Sequence, residues 1–292
     1  MKKILVPVDF STYTDIKCTY ALEYARPTGA EILLYHTYFD QIVIPDSTFP
    51  DTMDMNTMYN EELMKEILHQ AEKNLDELKN TLENKIKREK LENITVKTAV
   101  TGGDIELEIK EVCHEYQPDL LIIGTRGEGK SNTGWGKTST FVVNHVKVPV
   151  LLIPEIKGFM GFQKTMIAVD LSEENQTMIK HVIDLLLPFN VQLNCIHFLL
   201  NKKNKKAEAE RFEALKKSVI FGGKVRNISF EMIDVEEDNQ KAIEEFIRQN
   251  HITLIAFQPH KRSLLYTLFT GNITKKNFFS TNIPLVAIPL VG

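Results

Sequence analysis

Hydrophobic and polar positions along the chain switch between two periods. Ile4 to Val8 is an unbroken apolar run, as expected of a strand buried on both faces, and Ser11 follows as a candidate helix N-cap. Further strand-like runs lie at 31–37, 94–100, 119–123 and 148–153. Between them, Met64, Leu68, Ala71, Leu75, Leu78 and Leu82 step by four and three, which predicts one apolar face of a long helix. Ile105, Ile109, Val112 and Tyr116 predict the next helix in the same way. The pattern then starts again, with strands expected near 165–169, 190–198, 228–233, 253–257 and 284–288. Buried strands alternating with helices imply an α/β architecture: an open parallel sheet covered by helices on both faces.

The second series is a copy of the first. KILVPVDFS at 3–11 recurs as KTMIAVDLS at 164–172, and Asp9 and Asp170 stand 161 residues apart. His36, in the strand-like ILLYHT, pairs with His197 at the same offset. Asn93 pairs with Asn227, Asp104 with Asp238, and the strand before Gly124 with the strand before Gln258, all at an offset of 134. Val148-Pro149-Val150 matches Ile283-Pro284-Leu285 at 135. Offsets that hold over long stretches and change only twice indicate a tandem duplication. The first change leaves the first half 27 residues longer between His36 and Asn93. The excess falls near 39–59, where it can fold over a crevice, contact another subunit, or be a loop without function. The domains are expected at 1–155 and 162–292, with a junction broken by Pro154, Gly158 and Gly161.

The charge balance changes the picture only by exclusion. With 35 Lys and Arg against 39 Asp and Glu, the net charge of −4 gives no electrostatic reason to expect nucleic acid as a partner. Cys18, Cys113 and Cys195 are far apart and read as buried thiols of a reducing cytosol. The N-terminus reaches Asp9 too soon for a signal-peptide core, and no run is long enough to span a bilayer. A cytoplasmic protein without membrane contact is expected. Eight histidines form no ligand-spaced cluster, so no metal site is expected, and no catalytic residue can be assigned. Asp104 and Asp238 read as helix caps, and the shared position of His36 and His197 favours a structural role.

The chemistry concentrates in the segment from Gly124 to Ser139, with five glycines in thirteen residues directly after a buried strand. Glycines let backbone N–H groups face an anion, and a helix beginning near Lys137 adds donors at its positive end. Gly124 to Ser131 also satisfies GxxxxGK[ST], so a P-loop ATPase or phosphotransferase must be weighed. Against it, Gly134 and Gly136 fall where the helix interior of a P-loop would lie, and each glycine there costs about 1 kcal/mol. The motif also follows the fourth strand instead of the first. A third reading is a nucleotide-free adaptor with a vestigial loop.

The opening ILVPVDFS, the YHT of the second strand, the GTRG loop and the Gly136-to-Pro149 spacing before VPVLLIP resemble the universal stress protein family, in its tandem form, over both halves. The resemblance implies an adenine nucleotide alpha hydrolase-like, Rossmann-like fold with five parallel strands per domain. It also implies ATP as ligand, with or without Mg2+, and a role in stress survival. Pro7, Val8, Asp9 and Thr37 would then hold adenine and ribose, and Ile123 would line the base. Gly124, Gly127, Gly136, Lys137, Thr138 and Ser139 would face the phosphates, with Arg126 and Lys130 adding charge. Nucleotide-binding members space GxxG and the next glycine by nine residues; here eight intervene, and Lys137 stands where a hydroxyl residue belongs. The second half has Gln258 and Lys261 at the two GxxG positions, so one nucleotide per chain is expected, in the first half. The two domains would pair as a built-in pseudo-dimer, and a homodimer of chains is a further expected partner. Any hydrolysis would be slow, since no catalytic base is identifiable.

Overall fold

A computed structural model describes residues 1–38, 53–125, 135–199, 204–220, 227–234, 239–259 and 282–289. The chain divides into two compact units, Met1–Asp119 and Leu120–Gly292.

The first unit runs β1 (Lys3–Pro7), α1 (Thr14–Thr28), β2 (Glu31–Tyr38), α2 (Met53–Arg88), β3 (Thr95–Gly102) and α3 (Ile105–Tyr116). Its strands lie parallel in the order β3-β2-β1, with Pro7 opposite Tyr35 and Tyr35 opposite Ala99. Apart from Lys3, β1 is wholly buried, whereas β3 alternates at its start, as expected where one face of a strand is less covered. α2 packs on β2 and β3 through Ala71, Leu75 and Leu82, the predicted stripe, which Ile86 extends by one turn. α3 packs on β2 through Ile109, Val112 and Cys113. Ile105, expected on that face, is instead 37% exposed at the first turn of α3. The helix starts there, one residue after the cap, and the core contact begins a turn later. Asp104 is that cap, its carboxylate accepting the N–H groups of Glu106 and Leu107 at 2.9 and 3.2 Å. Asp238 lies outside the described residues.

The second unit runs β4 (Leu120–Gly124), α4 (Lys137–His145), β5 (Val150–Ile153), β6 (Lys164–Ala168), α5 (Asn175–Leu186), β7 (Gln192–Leu199), α6 (Lys205–Ile220), β8 (Ile228–Asp234), α7 (Asn239–Gln249), β9 (Leu254–Phe257) and β10 (Leu285–Ala287). Its strand order is β4-β5-β10-β9-β6-β7-β8. All neighbours are parallel except β5 and β10, which run antiparallel with Leu151 opposite Val286. The second repeat is therefore a complete doubly wound sheet, β8-β7-β6-β9-β10, whose order reverses between β6 and β9. β5 and β10 are the fifth strands of the two repeats, so the pairing joins equivalent edges. That pairing draws β4, α4 and β5 into the second unit, and the unit boundary falls at 119 instead of at the repeat junction.

The duplication is visible in the backbone as well as in the sequence. Phe10 and Leu171 both follow the shared aspartate in the left-handed region, at φ 55° and 63°. Gln117 and His251 do so after α3 and α7, at 50° and 53°, and Gly29 is matched by Asn190. A non-glycine residue rarely adopts this conformation, so its recurrence at offsets 161 and 134 means that the turn geometry itself was inherited. The three cysteines are free and buried, and burial pushes Cys18 and Cys113 up to about 12.

Candidate functional site

The strand ends of the first unit carry one group of candidate residues. Pro7 closes β1 and lies opposite Tyr35 of β2, and the next N–H, that of Val8, continues the ladder to the Tyr35 carbonyl at 2.7 Å. His36 places Nδ1 2.7 Å from the Val8 carbonyl, which puts its proton on that nitrogen and ties the end of β2 to the loop after β1. His197 repeats the contact, with Nδ1 3.0 Å from the Val169 carbonyl, so the shared structural role expected for the two histidines holds. Thr37 follows His36. Its buried hydroxyl acts on the Tyr35 phenol but makes no hydrogen bond of ordinary geometry among the described residues.

Asp9 stands directly after this strand end. Among the described residues its hydrogen bonds are made by Oδ1, which accepts from the Ser11 N–H at 3.4 Å, Ser11 Oγ at 2.8 Å, Thr14 Oγ1 at 3.3 Å and Lys17 Nζ at 2.9 Å. Burial alone would push the Asp9 carboxyl up, but the charge and hydrogen bond of Lys17 and the bonds from Ser11 outweigh it and hold the group below its ordinary value. Ser11 is not the N-cap predicted for it: α1 begins at Thr14 after Tyr13, and Ser11 instead bridges Asp9 and the Tyr13 N–H. The hydroxyl is committed to the carboxylate two residues back and closes the turn.

Lys17 is a residue the sequence reading passed over. Its side chain is buried in α1, and its ammonium also donates to the Pro7 carbonyl at 3.1 Å. Burying an ammonium costs several kcal/mol unless it is paired and hydrogen-bonded, and here two oxygens repay that cost. The signal was available: Thr14, Lys17, Ala21 and Tyr24 step by three and four along the buried face of α1, with a lysine among apolar neighbours.

The second unit carries the other group. Ile123, buried, and Gly124 end β4, and Gly136 stands at the N-cap of α4 in extended conformation. The Gly136 N–H donates to the Thr125 carbonyl at 2.8 Å, and Ser139 Oγ donates to the Gly124 carbonyl at 2.8 Å. These bonds bring Gly124, Gly136 and the first turn of α4 together. They also commit two groups expected to face phosphate: the Gly136 N–H and the Ser139 hydroxyl proton are both spent on backbone carbonyls. Lys137 is exposed and Thr138 half-buried in the same turn, which contains no acidic residue. Arg126, Gly127, Lys130 and most of the glycine loop lie outside the described residues. Trp135, the one tryptophan of the chain, packs against Phe257 at the end of β9 with ring centroids 6.0 Å apart.

Gly124 belongs to β4 and the helix begins at Lys137, well past Lys130 and Ser131, where a P-loop helix would start. Lys130 and Ser131 themselves lie outside the described residues, and Trp135 and Gly136, just before α4, are not helical. Among the described residues no cluster of metal ligands is found, and no helix is long and apolar enough to cross a membrane.

The sequence profile of the universal stress protein family matches residues 1–154. The chain belongs to that family. Membership supports a role in the stress response. Comparison with the curated proteins finds no match. Among solved structures, a universal stress protein from Archaeoglobus fulgidus is similar at 15% identity and a TM-score of 0.60, over 98% of this chain and 96% of that one. A putative universal stress protein from Pseudomonas aeruginosa gives 14% and 0.57, over 99% and 93%. The cytoplasmic domain of a prokaryotic cation chloride cotransporter gives 10% and 0.50, over 98% and 94%. At these identities the likeness shows the fold: α/β, with a mostly parallel sheet, of the adenine nucleotide alpha hydrolase-like type.

Proposed function

We propose that this universal stress protein binds ATP in its first repeat and acts as a nucleotide-dependent switch or adaptor. The observation that carries the reading is the first turn of α4. Ser139 holds it against the end of β4, Gly136 leaves it without a capping side chain, and its first turn carries Lys137 and no acid. Helix N-terminal N–H groups with a cation among them favour an anion such as a triphosphate. In the first unit, the buried Thr37 hydroxyl and Asp9 Oδ2, neither hydrogen-bonded among the described residues, are polar groups of the kind a nucleoside's hydroxyls and ring nitrogens satisfy. Gly127, Arg126 and Mg2+ enter the reading through the family resemblance. ATP would supply the charge and its hydrolysable anhydride; the residues of this chain bind and orient it.

The test is direct. Nucleotide released from the purified chain is identified by mass spectrometry, and unfolding is followed with and without ATP and Mg2+. ATP at 100 times its dissociation constant should stabilise the protein by about 2.7 kcal/mol. No released adenine nucleotide and no shift would refute the proposal. Turnover faster than about 1 per second would favour a true ATPase over a switch.

A further inference from the structure

The turn after β1 and the turn after β6 have the same backbone but are closed by different chemistry. In the second repeat, Asn175 does the work. Its Oδ1 accepts the N–H groups of Asp170 and Leu171, both at 2.9 Å, and its Nδ2 donates to Asp170 Oδ1 and Ser172 Oγ, both at 2.9 Å. Met178 then occupies the position of Lys17 and is buried as an ordinary apolar side chain. In the first repeat, Thr14 stands in place of Asn175, and Lys17 reaches back from α1 to Asp9 and Pro7. Both turns place a bulky residue, Phe10 or Leu171, at positive φ. The fold therefore closes this turn without a buried ammonium, and Lys17 is surplus to that need.

The surplus has a geometric result. Four donors converge on Oδ1 of Asp9, Lys17 among them, while Oδ2 makes no hydrogen bond among the described residues and the side chain is 30% exposed. A carboxylate pinned by one oxygen presents the other as a fixed, charged acceptor. A pair of vicinal hydroxyls suits such an acceptor, since each can donate to it and the ordering cost has already been met by the protein.

We propose that Lys17 is a positioning residue that fixes Asp9 so that Oδ2 accepts from the ribose hydroxyls of a bound nucleotide, making the first repeat selective for ribonucleotides over their dideoxy counterparts. This rests on the proposed ATP site, and the experiment separates the two. The full chain is titrated calorimetrically with ATP and with 2′,3′-dideoxy-ATP, as wild type, as Lys17→Met, and as the double variant Thr14→Asn with Lys17→Met, which imports the closure of the second repeat. Wild type should prefer ATP by about tenfold, the scale of one hydrogen bond to a charged acceptor. In the variants that preference should fall to within about twofold of unity, while affinity for dideoxy-ATP stays close to wild type. A preference that survives in the folded variants would overturn the inference and leave the ATP site standing. Equal loss for both ligands would show a merely structural lysine and overturn it as well. If wild type binds neither ligand, the ATP reading itself fails and the inference falls with it. Loss of cooperative thermal unfolding in both variants would overturn the premise that the turn closes without the lysine.

Discussion

The first turn of α4 offers two neighbouring hydroxyls whose surroundings assign them opposite roles. Ser139 is 3% exposed, and its hydroxyl donates to the Gly124 carbonyl at 2.8 Å, with the Thr125 carbonyl at 3.3 Å. Ser139→Ala removes one buried hydrogen bond and strips the carbonyls of a donor they cannot replace from water. The expected cost is about 1–2 kcal/mol. For a chain of this size that lowers the thermal midpoint by roughly 2–4 °C per kcal/mol. Thr138 is half-buried one residue earlier, and its hydroxyl makes no hydrogen bond among the described residues. Under the ATP proposal that proton is the one available to a phosphate oxygen. Thr138→Ala should leave the midpoint unchanged and weaken ATP by about tenfold or more, as for loss of a charge-assisted hydrogen bond. Trp135, immediately before Gly136 and the sole tryptophan, provides a fluorescence readout of binding, and melting followed by circular dichroism provides the stability. The reverse pattern, with Ser139→Ala fully stable but unable to bind and Thr138→Ala silent in binding, would refute the reasoning. It would mean that the Ser139 hydroxyl turns from the carbonyl to the ligand.

Three further outcomes are expected. Gln117 and His251 are exposed residues at φ 50° and 53° in equivalent positions after α3 and α7. Glycine at either should stabilise by roughly 0.5–1 kcal/mol, because relief of left-handed strain of about 1–2 kcal/mol exceeds the extra chain entropy of glycine; a lower urea midpoint for both variants would contradict this. The Asp9 carboxyl is held below its ordinary value, so its contribution is fully present above about pH 4 and is lost as pH falls through the lower folded value. Urea midpoints measured from pH 5 downward should fall less steeply for Asp9→Asn, and an identical acid limb would count against the Lys17 pair. Cys18, Cys113 and Cys195 are buried, and burial raises all three thiols. They should resist alkylation at pH 8 until the chain is denatured, and rapid labelling of the native protein by mass shift would contradict their placement.

The hydrophobic periods carried the architecture because strands and helices in a sheet of this kind are written in burial. Strand ends fell within two or three residues of those observed, the α2 stripe was correct and extended to Ile86, and the Asp104 cap was legible from its position before an apolar helix. The equivalence of His36 and His197 could be read as structural because a ligand-binding role had no reason to survive in both repeats. What period cannot encode is where a polar group spends its hydrogen bonds. Ser11 satisfied the rule for a cap but is drawn back to Asp9. Ser139 satisfied the rule for a phosphate hydroxyl but is drawn to Gly124. Lys17 was overlooked because lysines are ordinarily surface residues, and its burial depends on two oxygens that only the folded turn brings within reach.

The same distinction separates the described turns of the two repeats. Both retain the left-handed residue and the histidine that ties the second strand to the first, so both retain the scaffold. In the second repeat, α6 fills the corresponding turn from its own side chains. Glu208 pairs with His197 Nε2 at 2.9 Å, Arg211 donates to the Leu171 carbonyl, and Phe212 lies against the His197 ring. Asp170 itself is held by the Ser172 N–H and by Asn175 Nδ2, so its Oδ1 is satisfied within its own turn. α4, whose first turn is proposed to take phosphate, packs on β5, β5 is hydrogen-bonded antiparallel to β10, and Trp135 beside that turn rests on Phe257 of β9. Under the ATP proposal, these contacts are the route by which a change at the α4 turn would reach the sheet of the second repeat. Under the ATP proposal, a duplicated chain in which both repeats bound nucleotide would report two loads, and one that binds it in the first repeat alone would report one.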